Sequence, residues 1–68
     1  MAKGTVKWFD NTRGYGLIRP DDGGRDVFLP VISLECAFLP SPERGQKATY
    51  ELRRTLDGRE TAMDLAFV

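Results

Sequence analysis

Gly4-Thr5-Val6-Lys7-Trp8-Phe9-Asp10, then Asn11-Thr12-Arg13-Gly14, then Tyr15-Gly16-Leu17-Ile18-Arg19-Pro20 is the stretch that decides the fold. Two β-rich runs flank a short polar segment ending in glycine, which reads as strand, tight connection, strand. Strand one, Gly4 to Phe9, ends near Asp10, and strand two covers Tyr15 to Arg19. Pro20 and the turn Asp21-Asp22-Gly23-Gly24 stop the second strand. A third, Asp26 to Leu29, pairs with it as a hairpin and runs into Pro30, which has no N–H to give a ladder.

Beyond Pro30 the alternation lapses. Between Val31 and Gln46 prolines at 40 and 42 forbid regular structure, with room for one helical turn at Ile32 to Ala37, so a long loop over the barrel mouth is expected. Gln46 to Arg54 reads as strand four, Leu56-Asp57-Gly58-Arg59 carries an Asp-Gly hairpin signal, and Glu60 to Phe67 reads as strand five. No segment sustains the helical i, i+3, i+4, i+7 spacing. The expected fold is all-β, a five-stranded antiparallel barrel of the oligonucleotide-binding (OB) type, as one domain over residues 1–68.

The chain has 68 residues, one cysteine and no histidine. That length is near the lower limit for a core without staples. One cysteine allows no internal disulfide, and the absence of histidine removes the common Cys/His zinc sets, so no metal or cofactor is expected. Cys36 is expected as a buried thiol in a reducing compartment. No secretory h-region or membrane-length apolar run is present, which points to a soluble, cytoplasmic protein. Enzymatic chemistry is not expected: the nearest carboxylate pair, Asp21-Asp22, lies on a turn tip with no base or nucleophile beside it. Ten Lys plus Arg against ten Asp plus Glu give no net basic field. Any polyanion partner must therefore be recognised locally.

Period-2 alternation places Val6, Ile18, Val27, Leu29, Ala48, Tyr50, Leu52, Met63, Leu65 and Phe67 inward. Tyr15, Leu17 and Arg19 then share the outer face of strand two, beside Phe28 and Pro30 of strand three. A bulge or twist near Trp8 would bring Lys7 and Trp8 to the same surface. Exposed rings edged by Lys7, Arg13 and Arg19 suit a single-stranded nucleic acid, whose bases stack and whose phosphates take cations. The opposite assignment, with Trp8, Tyr15 and Phe28 inside, satisfies the same alternation. Gly14 and Gly16 are read as points where the backbone bends or bases come close, and Arg53-Arg54 as solvated surface.

Gly4 to Phe9 followed by Arg13-Gly14-Tyr15-Gly16-Leu17-Ile18 resembles the opening of a bacterial cold-shock protein. Arg13 to Ile18 is similar to the family's first ribonucleoprotein motif, Lys-Gly-Phe-Gly-Phe-Ile. Asp26 to Pro30 stands in the place of the second, Val-Phe-Val-His-Phe, while Glu43-Arg44-Gly45-Gln46 and Asp57-Gly58 match later segments. The resemblance covers nearly the whole chain. It implies an OB barrel whose outer face, with Trp8, Tyr15 and Phe28 exposed, stacks bases of single-stranded RNA or DNA, often as an RNA chaperone or transcriptional regulator.

The sequence departs from the family where rings are expected. Leu17 and Val31 replace phenylalanines, Pro30 replaces the motif's histidine, and Asp10 replaces an asparagine. Phe38 falls one place before an expected loop aromatic, with Leu39 at the aligned position. Losing two or three stacks would cost roughly 2–6 kcal/mol of binding, so a weakened nucleic-acid binder with a salt dependence of about two to four phosphates is expected. The alternative is a protein-interaction or dimerisation module using Leu17, Pro30, Val31 and Phe38 as an apolar patch. A monomer is the default, with no membrane and no small-molecule substrate as partner.

Overall fold

The computed structural model describes residues 2–68. Its elements are β1 (Ala2–Asp10), β2 (Tyr15–Pro20), β3 (Val27–Pro30), α1 (Val31–Cys36), β4 (Lys47–Arg54) and β5 (Glu60–Phe67). The strands close into a barrel in the order β1-β2-β3-β5-β4. The β1–β2, β2–β3, β1–β4 and β4–β5 ladders are antiparallel. The closing contact is a parallel bridge, Phe28 opposite Thr61. This is the expected five-stranded OB-type barrel, and closure leaves no long strand edge to template association.

Local chemistry explains the corners. Asp10 Oδ1 accepts from the backbone N–H groups of Thr12 and Arg13 at 2.9 and 3.1 Å, folding the β1–β2 connection as an Asx turn. Gly14 closes that turn at φ +81°, a left-handed conformation that glycine adopts without strain. Gly16 serves a different purpose. A Cβ there would stand 2.3 Å from Trp8 O and 2.8 Å from Phe9 Cα and Cδ1. Glycine at this position lets β1 lie close and the Phe9 ring cover the gap, so the vacancy faces the barrel and admits no base.

The core comprises Val6, Ile18, Val27, Leu29, Leu34, Ala48, Tyr50, Ala62 and Leu65. Two inward expectations need correction. Leu52 is 48 % exposed and Met63 is only half-buried, whereas Phe67, also half-buried, packs against the core as expected. The β4–β5 register slips between Thr49/Ala66 and Glu51/Met63, and Asp64 sits there at φ 50°. One extra residue on β5 flips the alternation: Ala62 and Leu65 turn in, and Met63 turns out.

The segment expected as a loop contributes to the core. α1 puts Leu34 into it and buries Ser33, whose hydroxyl donates to Ala62 O at 2.6 Å and lies 3.2 Å from Met63 Sδ. Ser33 thereby meets the requirement that a buried hydroxyl be hydrogen-bonded. Ser33 and Leu34 occupy the inner side of this single turn, so Cys36 falls on the outer side. Cys36 is exposed, not the buried thiol that its residue type suggested.

Candidate nucleic-acid interface

The β1–β2–β3 register builds two rows across the outer face. One runs Trp8–Leu17–Phe28 and the other Asp10–Tyr15–Pro30, each from directly opposed residues. The register shift between Val6 and Trp8 makes Lys7 the extra residue of a β-bulge. That bulge supplies the irregularity expected at this point, bringing Trp8 level with Leu17. Trp8, Tyr15, Leu17, Phe28 and Pro30 are all half-buried, with their bases packed and outer surfaces open. The opposite, rings-inside assignment is thereby excluded.

The rings touch. Trp8 and Tyr15 meet edge-on with centroids 5.8 Å apart and planes at 63°, and Tyr15 and Phe28 lie 5.5 Å apart at 32°. These spacings are favourable aromatic contacts and hold the three rings as one continuous platform. Val31, 39 % exposed, donates its N–H to Gly14 O at 2.9 Å, which sets it against the β1–β2 turn beside Tyr15. Phe38 does not join the platform. It stands 94 % exposed at φ 57° in the loop after α1 and is in neither ring pair.

The cations divide into paired and free. Lys7 Nζ is 2.9 Å from Asp26 Oδ2, and Arg13 Nε is 3.7 Å from Asp10 Oδ2. The Tyr15 phenol, as hydrogen-bond partner, raises the Arg13 guanidinium above its ordinary value, with charge on Tyr15 and on Asp10 adding to it. Asp10, whose negative charge looked misplaced beside a ligand, is occupied by turn amides and by Arg13. Arg19 lies opposite Thr5 and lines a groove of about 390 Å³ with Lys7, Trp8 and Arg44.

A second cleft, about 520 Å³, opens at the Phe28 end of the face, lined by Leu17, Arg25, Asp26, Phe28, Arg54 and Arg59 among others. The Arg59 guanidinium lies 5.0 Å over the Phe28 ring centroid, a cation–π contact. Arg25 and Arg59 were not foreseen. They sit on connections far apart in sequence, and neither belongs to an alternating strand pattern that would have marked it.

Comparison with known proteins agrees with this geometry. The family model described as the 'Cold-shock' DNA-binding domain matches residues 2–66. "Cold shock protein CspA" of Rhizobium meliloti (strain 1021) is 47 % identical over 66 residues, covering 96 % of each chain. "Probable cold shock protein y4cH" of Sinorhizobium fredii is 54 % identical over 52 residues, covering 76 % of this chain and 75 % of its own. "Cold shock-like protein CspE" of Escherichia coli (strain K12) is 33 % identical over 64 residues, covering 94 % and 93 %. With the match running from the first strand to the last and the ring platform in place, the chain belongs to the cold-shock DNA-binding domain family, whose members bind nucleic acid.

Proposed function

We propose that this protein binds single-stranded RNA or DNA by stacking bases on Trp8, Tyr15 and Phe28, with Leu17, Pro30 and Val31 as apolar contacts and Lys7, Arg13 and Arg19 along the edge. The observation that carries the reading is the continuous file of three rings on an outer face. Stacking on open rings is tolerant of sequence, because every base presents a π-face. The site carries out no catalysis. Its part in the cell is that of an RNA chaperone or of a regulator of transcription or translation, performed as a single-domain monomer in the cytoplasm. Among the described residues, no helix is long and apolar enough to cross a membrane.

Affinity is reduced relative to a family member with rings at every platform position, because Leu17 and Val31 offer side contacts but no π-face. Phe38 reaches the ligand only if its loop folds toward the rings. A second reading draws on an apolar groove of about 510 Å³ formed by Phe28, Pro30, Ile32, Leu56 and Met63, with Leu56 wholly exposed. In that reading the domain binds a protein or a second copy of itself.

One titration separates them. Trp8 is the sole tryptophan, so its emission is followed as oligo-dT, oligo-dA or a duplex control is added at low and moderate salt. Saturable quenching by the single strands alone is expected. No response at high micromolar oligonucleotide refutes the stacking reading and leaves the interaction module.

A further inference from the structure

We propose that the electrostatic grip on a single strand comes from two arginine pairs, Arg25 with Arg59 and Arg19 with Arg44, each a phosphate-binding subsite at one end of the Trp8–Leu17–Phe28 row. This inference rests on the nucleic-acid reading and adds to it where the backbone of the strand is held.

The argument begins with which cations are free. Five of the ten are engaged by carboxylates: Lys7 by Asp26, Arg13 by Asp10, Lys47 by Asp21, Arg53 by Glu51 and Asp64, and Arg54 by Glu60. Among the described residues, Lys3, Arg19, Arg25, Arg44 and Arg59 form no ion pair. Lys3 lines clefts beside Asp21 that none of the three rings lines, whereas the four arginines do not scatter over the barrel. Arg25 and Arg59 line the cleft that Leu17 and Phe28 also line, and Arg19 and Arg44 line the groove that Trp8 also lines.

The acidic residues at the first cleft do not cancel it. Asp26 is held by Lys7 and Glu60 by Arg54, while Asp57, on the neighbouring hairpin, keeps its charge but does not line the cleft and forms no ion pair with Arg59. The Arg59 guanidinium carbon lies 5.0 Å from the Phe28 ring centroid, and its N–H groups make no ion pair among the described residues. A base arriving on Phe28 displaces that guanidinium sideways, toward Arg25. The next phosphodiester of the same strand then lies between two planar forks whose geometry suits phosphate oxygens. At the other end, a base on Trp8 delivers its neighbouring phosphate to Arg19 and Arg44 in the same way.

Of the rim cations first suspected, only Arg19 belongs to these pairs. Lys7 and Arg13 must break existing ion pairs before meeting a phosphate, whereas the four free arginines need not. Two phosphates, one held by each pair, give a slope of about −1.4 in log K against log salt, near sevenfold weakening between 50 and 200 mM.

The test is the Trp8 titration with oligo-dT across that salt range, on wild type, Arg25→Ala/Arg59→Ala, Arg25→Lys/Arg59→Lys and the control Arg53→Ala. The double alanine variant is expected to bind with a slope of about −0.7, so its weakening over the same range falls to about 2.6-fold. The double lysine variant, which keeps the charge, retains most of the slope, and Arg53→Ala matches wild type. An oligo-dT with a neutral methylphosphonate backbone is expected to bind wild type and the double alanine variant alike. Quenching of wild type with the same slope in the double alanine variant overturns the two-clamp assignment while leaving base stacking intact. Absence of quenching in wild type overturns the nucleic-acid reading and this inference together. Arg25 and Arg59 are exposed, so the variants are expected to melt as wild type does.

Discussion

Replacing Leu17 by phenylalanine should tighten single-strand binding, and the register says by how much. Leu17 stands directly opposite Trp8 on one side and Phe28 on the other, half-buried on the outer face. A ring there fills the gap in the Trp8–Leu17–Phe28 row, which at present is bridged only through Tyr15 at 5.8 and 5.5 Å. Base–aromatic stacking is worth about 1–3 kcal/mol against alanine. Leucine already supplies part of that as apolar contact, which leaves a gain of about 1–1.5 kcal/mol, or roughly 5- to 13-fold in Kd. The stability of the free protein should change by less than about 0.5 kcal/mol, because the added ring lies on the open face. The assay is Trp8 quenching by oligo-dT in parallel with thermal melts. Unchanged affinity at an unchanged Tm would refute the placement of a base over position 17, and with it the proposed loss of affinity from the missing ring.

Three further outcomes follow from the packing and the charges. Gly16→Ala puts a Cβ 2.3 Å from Trp8 O and should cost about 2–3 kcal/mol, lowering Tm by roughly 10–20 °C; a melt within about 3 °C of wild type contradicts the close-approach argument. Asp10→Asn keeps the acceptor for the Thr12 and Arg13 amides but removes the charge held near Arg13, so oligonucleotide affinity should rise at low salt and converge with wild type at high salt. Tyr50 is buried, and burial first, then Asp22, Asp21 and Glu60, raises its phenol above the ordinary value. With the folded value above the unfolded one, its contribution is complete below about pH 10 and is lost as pH rises through the folded value. Tyr50→Phe should therefore show a flatter fall in Tm between about pH 9 and 11, and identical pH profiles would exclude the effect.

Most of the barrel could be read from the chain because each corner carries its own turn chemistry. Asp10 with Gly14, Asp21 to Gly24, and Asp57-Gly58 punctuate runs whose ends then follow within a residue or two. Alternation failed where the backbone itself broke period. Asp64 at φ 50° adds a residue to β5, so Met63 leaves the interior and Ala62 enters it, and nothing in the residue types of Glu60 to Phe67 announces that. α1 could be read only as room for one helical turn at Ile32 to Ala37, because six residues with one large apolar anchor, Leu34, are too few to display a helical period or to show that the segment enters the core.

The face divides in the same way. Trp8, Tyr15 and Phe28 could be found because strand alternation leaves them together and the family motif says which side is out. Arg25 and Arg59 could not, since convergence of the connection before β3 with the hairpin before β5 depends on β3 meeting β5, a contact between strands distant in sequence. Equal numbers of cations and carboxylates made the whole-chain charge a poor guide. The barrel measures 25 × 24 × 17 Å, well beyond the Debye length of about 8–10 Å at ordinary salt, so a strand lying on one face feels little of the charge on the other. What it meets is set by which arginines are already paired. Because the net charge is zero, steering from beyond a Debye length is weak, and in the proposed binding mode the four free arginines grip the strand once a base has landed. Salt should accordingly alter the dissociation rate of the complex more than the association rate. A stopped-flow measurement in which added salt slows association while dissociation stays fixed would contradict this division between the rings that capture the strand and the arginines that retain it.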